Sequence, residues 1–99
     1  MAVYVIANVT AARDRDALTE YRRRNTATVT QHGGRFLVRG GEQETLEGDW
    51  PGVRIVVIEF PDAAAARAWW DSDEYAPLKE LRRGASDTDI VLVEGGDQP

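Results

Sequence analysis

The octapeptide VRIVVIEF, from Val53 to Phe60, decides how this chain of 99 residues folds. It contains five aliphatic residues and ends in phenylalanine, the composition of a buried β-strand. Successive side chains of a strand point to opposite faces of the sheet. Both faces of this strand are apolar, because Val53, Ile55 and Val57 alternate with Val56, Ile58 and Phe60. We therefore expect a sheet that is covered on both sides.

Outward from this strand, the hydrophobic periodicity predicts six further elements. The strands are predicted at 3–9, 35–39, 53–60 and 90–93, and the helices at about 15–32, 63–70 and 73–83. Gly33-Gly34 ends the first helix, and Gly84 is expected to end the last. The order strand, helix, strand, strand, helix, strand is the split βαβ arrangement. It predicts an α+β, ferredoxin-like βαββαβ domain over residues 1–95, with a four-stranded antiparallel sheet and a disordered tail at 96–99.

A second copy of the chain is expected to cover one face of the sheet. The first and last strands are also apolar on both faces, and two helical regions can cover only one face. Leaving four such side chains in water would forgo roughly 6 to 12 kcal/mol, whereas a small domain is stable by about 5 to 15 kcal/mol. We therefore predict a homodimer that pairs through its sheet faces.

Composition narrows the functional class. Hydrophobic residues make up 42% of the chain and charged residues 29%, which is typical of soluble globular proteins. There is no cysteine, so disulfides and thiolate chemistry are excluded. The net charge of -5 argues against a nucleic-acid partner, and Arg22 to Arg24 are interpreted as a solvated helix surface. Without an apolar run long enough for a membrane span or a secretory signal, we expect no membrane partner and a cytoplasmic location.

Four blocks of sequence resemble the domain-of-unknown-function family numbered 1330. They are Gly33–Gly41, Leu46–Trp50, Arg54–Pro61 and Trp69–Tyr75. That family is similar to the dimeric α+β-barrel superfamily, whose ferredoxin-like subunits pair through their sheets. The resemblance covers residues 2 to 95 and agrees with the burial argument. Because the superfamily includes cofactor-free monooxygenases, isomerases, haem enzymes and proteins of no known chemistry, the resemblance does not fix a reaction.

In relatives of this fold, ligands bind between the helices and the sheet. By that resemblance, Tyr21, Asn25, Trp69 and Tyr75 are candidates to line a ligand pocket. Tyr21 and Asn25 are also one turn apart on the helix face that should meet the sheet. The alternative is ordinary core packing, in which the tyrosine hydroxyls reach the surface.

Three residues are candidates for proton chemistry. His32 is the only histidine, and it is either a half-exposed residue at a helix C-terminus or a general base. Arg39 and Glu59 lie in strands with apolar neighbours, where an unpaired charge is costly. They either form an ion pair between adjacent strands or line the ligand pocket, whereas Arg35 and Arg54 are expected to be exposed. No recognised pattern of metal ligands or phosphate-binding glycines occurs, so no metal or cofactor is expected.

Three functions are compatible with these patterns. The first is a small cytoplasmic homodimer that binds a small molecule between helices and sheet without catalysis. The second is a cofactor-independent monooxygenase or isomerase-like enzyme acting on an aromatic or polyketide-type substrate. The third is an assembly module for a partner protein. A pocket of about 300 Å³ or more with Arg39, Glu59 or His32 converging on it would favour ligand chemistry over a purely structural role.

Overall fold

The computed structural model describes residues 1–96 and contains four strands and three helices in the predicted order. The elements are β1 (Val3–Ala12), α1 (Arg15–Gln31), β2 (Arg35–Arg39), β3 (Arg54–Phe60), α2 (Ala63–Trp70), α3 (Ala76–Ala85) and β4 (Ser86–Glu94). The side chain of Asp14 caps α1 by accepting from the N–H of Ala17, and Asp62 caps α2 in the same way. Of the tail predicted at 96–99, residues 97–99 lie outside the described part.

The four strands form one antiparallel sheet in the order β2-β3-β1-β4. β1 and β3 lie at the centre, so the strand that decides the fold is flanked on both edges. The register pairs Val5 with Ile58 on one side and with Leu92 on the other. This topology confirms the predicted ferredoxin-like α+β fold.

The helices cover one face of the sheet, which we call the inner face. Val3, Val5, Ile58 and Phe60 point to this face and are buried. Their partners in the core come from all three helices and include Val29, Ala66, Trp69 and Leu78. Burial of these side chains supplies the main stabilisation of the fold, at about 1.5 to 3 kcal/mol for each large one.

The opposite, outer face of the sheet is apolar and has no covering layer among residues 1–96. Strand alternation and register place seven apolar side chains there, namely Tyr4, Ile6, Val38, Ile55, Val57, Val91 and Val93. Val91 is 56% exposed, at the edge strand, and the central Ile6 and Val57 are partly buried by their neighbours. The prediction that the sheet is apolar on both faces is therefore confirmed.

The main difference from prediction lies where α3 meets β4. Gly84 does not end α3, which continues to Ala85, and β4 begins at the next residue. The carbonyl of Ala85 accepts hydrogen bonds from the N–H groups of Arg13 and Asp14, at 2.8 and 3.2 Å. These donors satisfy the helix end without a glycine cap, so the chain needs no loop there.

The start of α3 also differs from the prediction. α3 begins at Ala76 instead of 73, with a proline in its first turn, and the hydroxyl of Ser72 accepts from the N–H of Tyr75 just before it.

Within residues 1–96, no helix combines the length and the apolar character required to cross a membrane.

Candidate functional site

A cavity of about 370 Å³ lies between the helices and the inner face of the sheet. Its apolar wall comes from the central strands and β4. Ala7 of β1 lies between Val56 and Ile90 in the register, and all three line the cavity. A larger side chain at position 7 would fill this space, so the small residue at the middle of β1 contributes directly to the cavity.

A chain of hydrogen bonds links α2, α1 and the residue that precedes α3, and it ends at the cavity. The indole N–H of Trp69 donates to the hydroxyl of Thr28 at 3.1 Å, and that hydroxyl lies 2.7 Å from the amide oxygen of Asn25. The Asn25 amide nitrogen donates to the Tyr21 hydroxyl at 3.4 Å, which lies 2.8 Å from the Tyr75 hydroxyl. Each buried polar group in the chain thereby has a partner, as expected for groups withdrawn from water.

Burial keeps the Tyr21 hydroxyl protonated. Desolvation raises the pKa of Tyr21 above its ordinary value, and the neighbouring Tyr75 adds to the rise, whereas the charge of Arg82 opposes it. The two rings meet edge to face, with centroids 6.3 Å apart. The Tyr21 hydroxyl is therefore neutral, and both tyrosines lie at the cavity wall.

Arginines dominate the charge of the cavity. Five arginines line the cavity, namely Arg15, Arg22, Arg39, Arg54 and Arg82. Among residues 1–96, no aspartate, glutamate or histidine lines it. None of the five forms an ion pair with a carboxylate of the described residues. Although the net charge of the chain is -5, the charged residues that line this cavity are all positive.

Arg22, Arg39 and Arg54 form a cluster at the ends of β2 and β3. The Arg39 guanidinium donates to the Thr26 hydroxyl at 2.9 Å and to the Arg22 carbonyl at 2.6 Å, and it lies over the Phe36 ring. Burial lowers the pKa of Arg39, and the charge of Arg22 lowers it further. Burial and both neighbouring arginines lower the pKa of Arg54 in the same way. The cluster is therefore a region of mutual repulsion that an anion would relieve.

Arg82 is the most deeply buried of the five. It is only 7% exposed, and its Nε has no hydrogen-bond partner among residues 1–96. It belongs to α3, and its Cζ lies 5.9 Å from the centroid of the Tyr21 ring. The buried arginine and the tyrosine pair are therefore neighbours on the cavity wall.

The structure places the residues singled out from the sequence as follows. Tyr21, Asn25, Arg39, Trp69 and Tyr75 all line the cavity. Glu59 does not, because its strand position directs it to the outer face, where it pairs with Arg35 at 2.7 Å. Arg39 and Glu59 therefore do not pair with each other. His32 ends α1, with Nδ1 2.9 Å from the Thr28 carbonyl, and is not part of the cavity lining.

Arg54 and Arg82 were not predicted to line the cavity, but the sequence contained signals for their burial. Arg54 was expected to be exposed because it opens β3, but it is half-buried, and its register partner Val9 also lines the cavity. Arg82 lies four residues after the buried Leu78 and three before the buried Ala85. That spacing puts it on the buried face of α3 and was the available signal.

Metal binding has no support in the arrangement of side chains. Within the described part of the chain, no three histidine, aspartate or glutamate side chains come together as a ligand set. What the cavity can do chemically is enclose an apolar body, donate hydrogen bonds and offer positive charge.

Comparison with known proteins adds relatives of the same fold. A dimeric ferredoxin-like protein of unknown function from Jannaschia superposes with a TM-score of 0.80 at 12% identity, covering 96% of this chain and 100% of that one. A Rhodopseudomonas palustris protein of unknown function gives 0.74 at 18% identity, with 98% and 84% covered. SnoaB, a cofactor-independent oxygenase from Streptomyces nogalater, gives 0.70 at 15% identity, with 98% and 95% covered. At such identities the likeness shows the fold alone.

A comparison with curated protein sequences gives no match. The model of one family, the domain of unknown function DUF1330, matches residues 2–96. This is almost the whole chain, and it agrees with the four sequence blocks and with the ferredoxin-like neighbours. The chain belongs to the DUF1330 family and has a ferredoxin-like fold.

Proposed function

We propose that this chain is a homodimeric protein that binds a small, largely apolar molecule in the cavity between its helices and its sheet. One observation carries the proposal: the cavity measures about 370 Å³, within the range of ligand sites, which starts near 300 Å³. Its walls are apolar with a few converging polar groups, the usual composition of such sites. A cytoplasmic location is part of the same proposal.

Binding is better supported than catalysis. Proton abstraction near neutral pH needs a group such as histidine or a carboxylate within reach of the substrate. The described residues of the cavity wall include neither, and burial holds the Tyr21 hydroxyl in its protonated form. The alternative of a cofactor-independent enzyme on an aromatic substrate draws only on the fold that this chain shares with SnoaB.

The homodimer is supported by the outer face of the sheet. Seven apolar side chains lie there without cover from residues 1–96, and Val57 at the sheet centre pairs with Ile6 and Val38 in the register. An identical face is the simplest cover, because a two-fold axis makes one patch complementary to itself. The Jannaschia protein, described as dimeric, shares this fold.

A cavity-filling substitution tests the binding function. We would titrate the 15N-labelled chain with neutral aromatic fragments, namely phenol, indole, 2-naphthol and 2-naphthamide, and follow amide shifts by NMR. We expect at least one fragment to shift residues that line the cavity. Val56→Phe, which adds an aromatic ring to the cavity wall, should weaken that binding at least tenfold.

Val91→Phe is the matched control, because it makes the same change on the outer face of the sheet. It should leave the cavity shifts in place. If none of the fragments binds at millimolar concentration, or if Val56→Phe binds as the wild type does, the cavity is not a ligand site and the proposal is wrong.

A further inference from the structure

Arg82 and the tyrosine pair provide unused hydrogen-bond donors at the cavity wall. Arg82 is 7% exposed and has neither an ion pair nor a partner for Nε among residues 1–96. An unpaired charge withdrawn from water costs several kcal/mol, so buried arginines normally pair with a carboxylate of the protein. Here no such carboxylate lines the cavity in the described part of the chain. Within residues 1–96, Arg82 is therefore a buried cation without an anionic partner.

The adjacent tyrosine pair has a spare donor as well. Two hydroxyls joined by one hydrogen bond use only one of their two protons in that bond. Either hydroxyl can be the donor in that bond, so one proton of the pair, on Tyr75 when Tyr21 donates, is left for an acceptor. Tyr75 is fully buried, so that proton faces the interior and not bulk water.

We propose that Arg82 and the Tyr21–Tyr75 hydroxyl pair bind the carboxylate of an otherwise apolar ligand. The inference rests on the proposed function, because it names the class of molecule that the cavity holds. A planar guanidinium can donate two parallel hydrogen bonds to the two oxygens of a carboxylate, and the tyrosine hydroxyl supplies a third donor.

The rest of the cavity fits the same ligand. Ala7, Val56 and Ile90 offer an apolar surface for a hydrocarbon or aromatic body. Arg22, Arg39 and Arg54 add positive charge to the cavity lining and would raise the local concentration of anions. An acidic protein would otherwise repel such ligands.

A matched pair of ligands isolates the carboxylate. 2-Naphthoate and 2-naphthamide have nearly the same shape, but only the first is an anion at pH 7. Their dissociation constants would be measured by calorimetry for the wild type, Arg82→Gln and Tyr75→Phe. Arg83→Gln is the control, because Arg83 is the next residue of α3 but is exposed and paired with Glu80.

We expect the wild type to prefer the naphthoate at least tenfold, and Arg83→Gln to keep that preference. Arg82→Gln should reduce the preference below twofold, and Tyr75→Phe should reduce it about threefold. Thermal unfolding would check each variant, and if Arg82→Gln does not fold, Tyr75→Phe decides alone.

The outcomes separate the two proposals. If the amide binds in the cavity but the wild type shows no preference for the carboxylate, or Arg82→Gln retains it, the carboxylate inference is wrong and the binding function stands. If 2-naphthoate, 2-naphthamide and the neutral fragments all fail to bind the wild type in the cavity, the binding function itself is wrong.

Discussion

The inner and outer faces of the sheet are built from the same strands and are both apolar, but they differ in whether their arginines form ion pairs. On the outer face, Arg35 and Glu59 neutralise each other at 2.7 Å. On the inner side, five arginines surround a cavity with no carboxylate partner among residues 1–96. The ion-paired arginines, none of which lines the cavity, are Arg13, Arg23, Arg24, Arg35 and Arg83.

This partition indicates what each face receives. A paired charge, such as Arg35 with Glu59 on the outer face, costs less to bury than an unpaired one, and Asp89 on the same face is exposed. A cavity whose charges lack partners gains most from an anion. Both faces are hydrophobic, but the five cavity arginines have no ion pair among residues 1–96, whereas Arg35, on the proposed interface, is paired with Glu59.

The largest expected effect comes from placing a charge on the outer face. Val57→Lys puts an ammonium at the centre of the proposed interface, where burial without a partner costs about 3 kcal/mol or more, equivalent to over a hundredfold in association. Light scattering should show the wild type at twice the 11.0 kDa chain mass and the variant at 11.0 kDa. Ala64→Lys, on the exposed side of α2, should remain dimeric. A wild type that runs as a monomer at micromolar concentration would exclude the dimer.

A second, intermediate effect is expected beneath the helices. Thr28→Val removes the hydroxyl that joins Trp69 to Asn25 and leaves two buried polar groups without a partner. We expect the free energy of unfolding to fall by about 2 kcal/mol in urea titrations. Thr30→Val, two residues further along α1 and exposed, should cost less than about 0.5 kcal/mol. Equal losses in both variants would show that the buried chain of hydrogen bonds adds no stability.

The smallest effect compares one charge from each face. Arg39→Ala removes a cation that lines the cavity, and we expect 2-naphthoate to bind three- to tenfold more weakly, about 1 kcal/mol. Glu59→Ala should leave that affinity unchanged, because Glu59 lies on the outer face with Arg35. Calorimetry at low salt measures both. A larger effect from Glu59→Ala than from Arg39→Ala would contradict the division between the two faces.

The fold was accessible from the sequence because it depends on local patterns. Alternation in Val53–Phe60 and the order of the segments were sufficient to predict the sheet and its doubly apolar character. The pattern does not tell which of two apolar faces the helices cover. That choice sends Val56, Ile58 and Arg54 to the cavity side and Glu59 to the other. The placement of Arg54 and Glu59 therefore required the three-dimensional structure.

The candidate site was accessible only in part. Tyr21 and Asn25 were predicted on the inward face of the first helix, Trp69 and Tyr75 came from the family resemblance, and all four line the cavity. The role of Arg82 depends on which acidic residues come near it in space. Absence of a partner is a property of the folded chain, so helix spacing could have indicated its burial but not its missing anion.

The junction of α3 and β4 links the two faces mechanically. Because no loop separates Ala85 from Ser86, the helix that carries Arg82 and the strand that carries Val91 form one continuous unit. A shift of α3 caused by an occupant of the cavity would therefore be transmitted directly to the surface of β4. By thermodynamic reciprocity, tighter association of two subunits would then change the affinity of the cavity for its ligand.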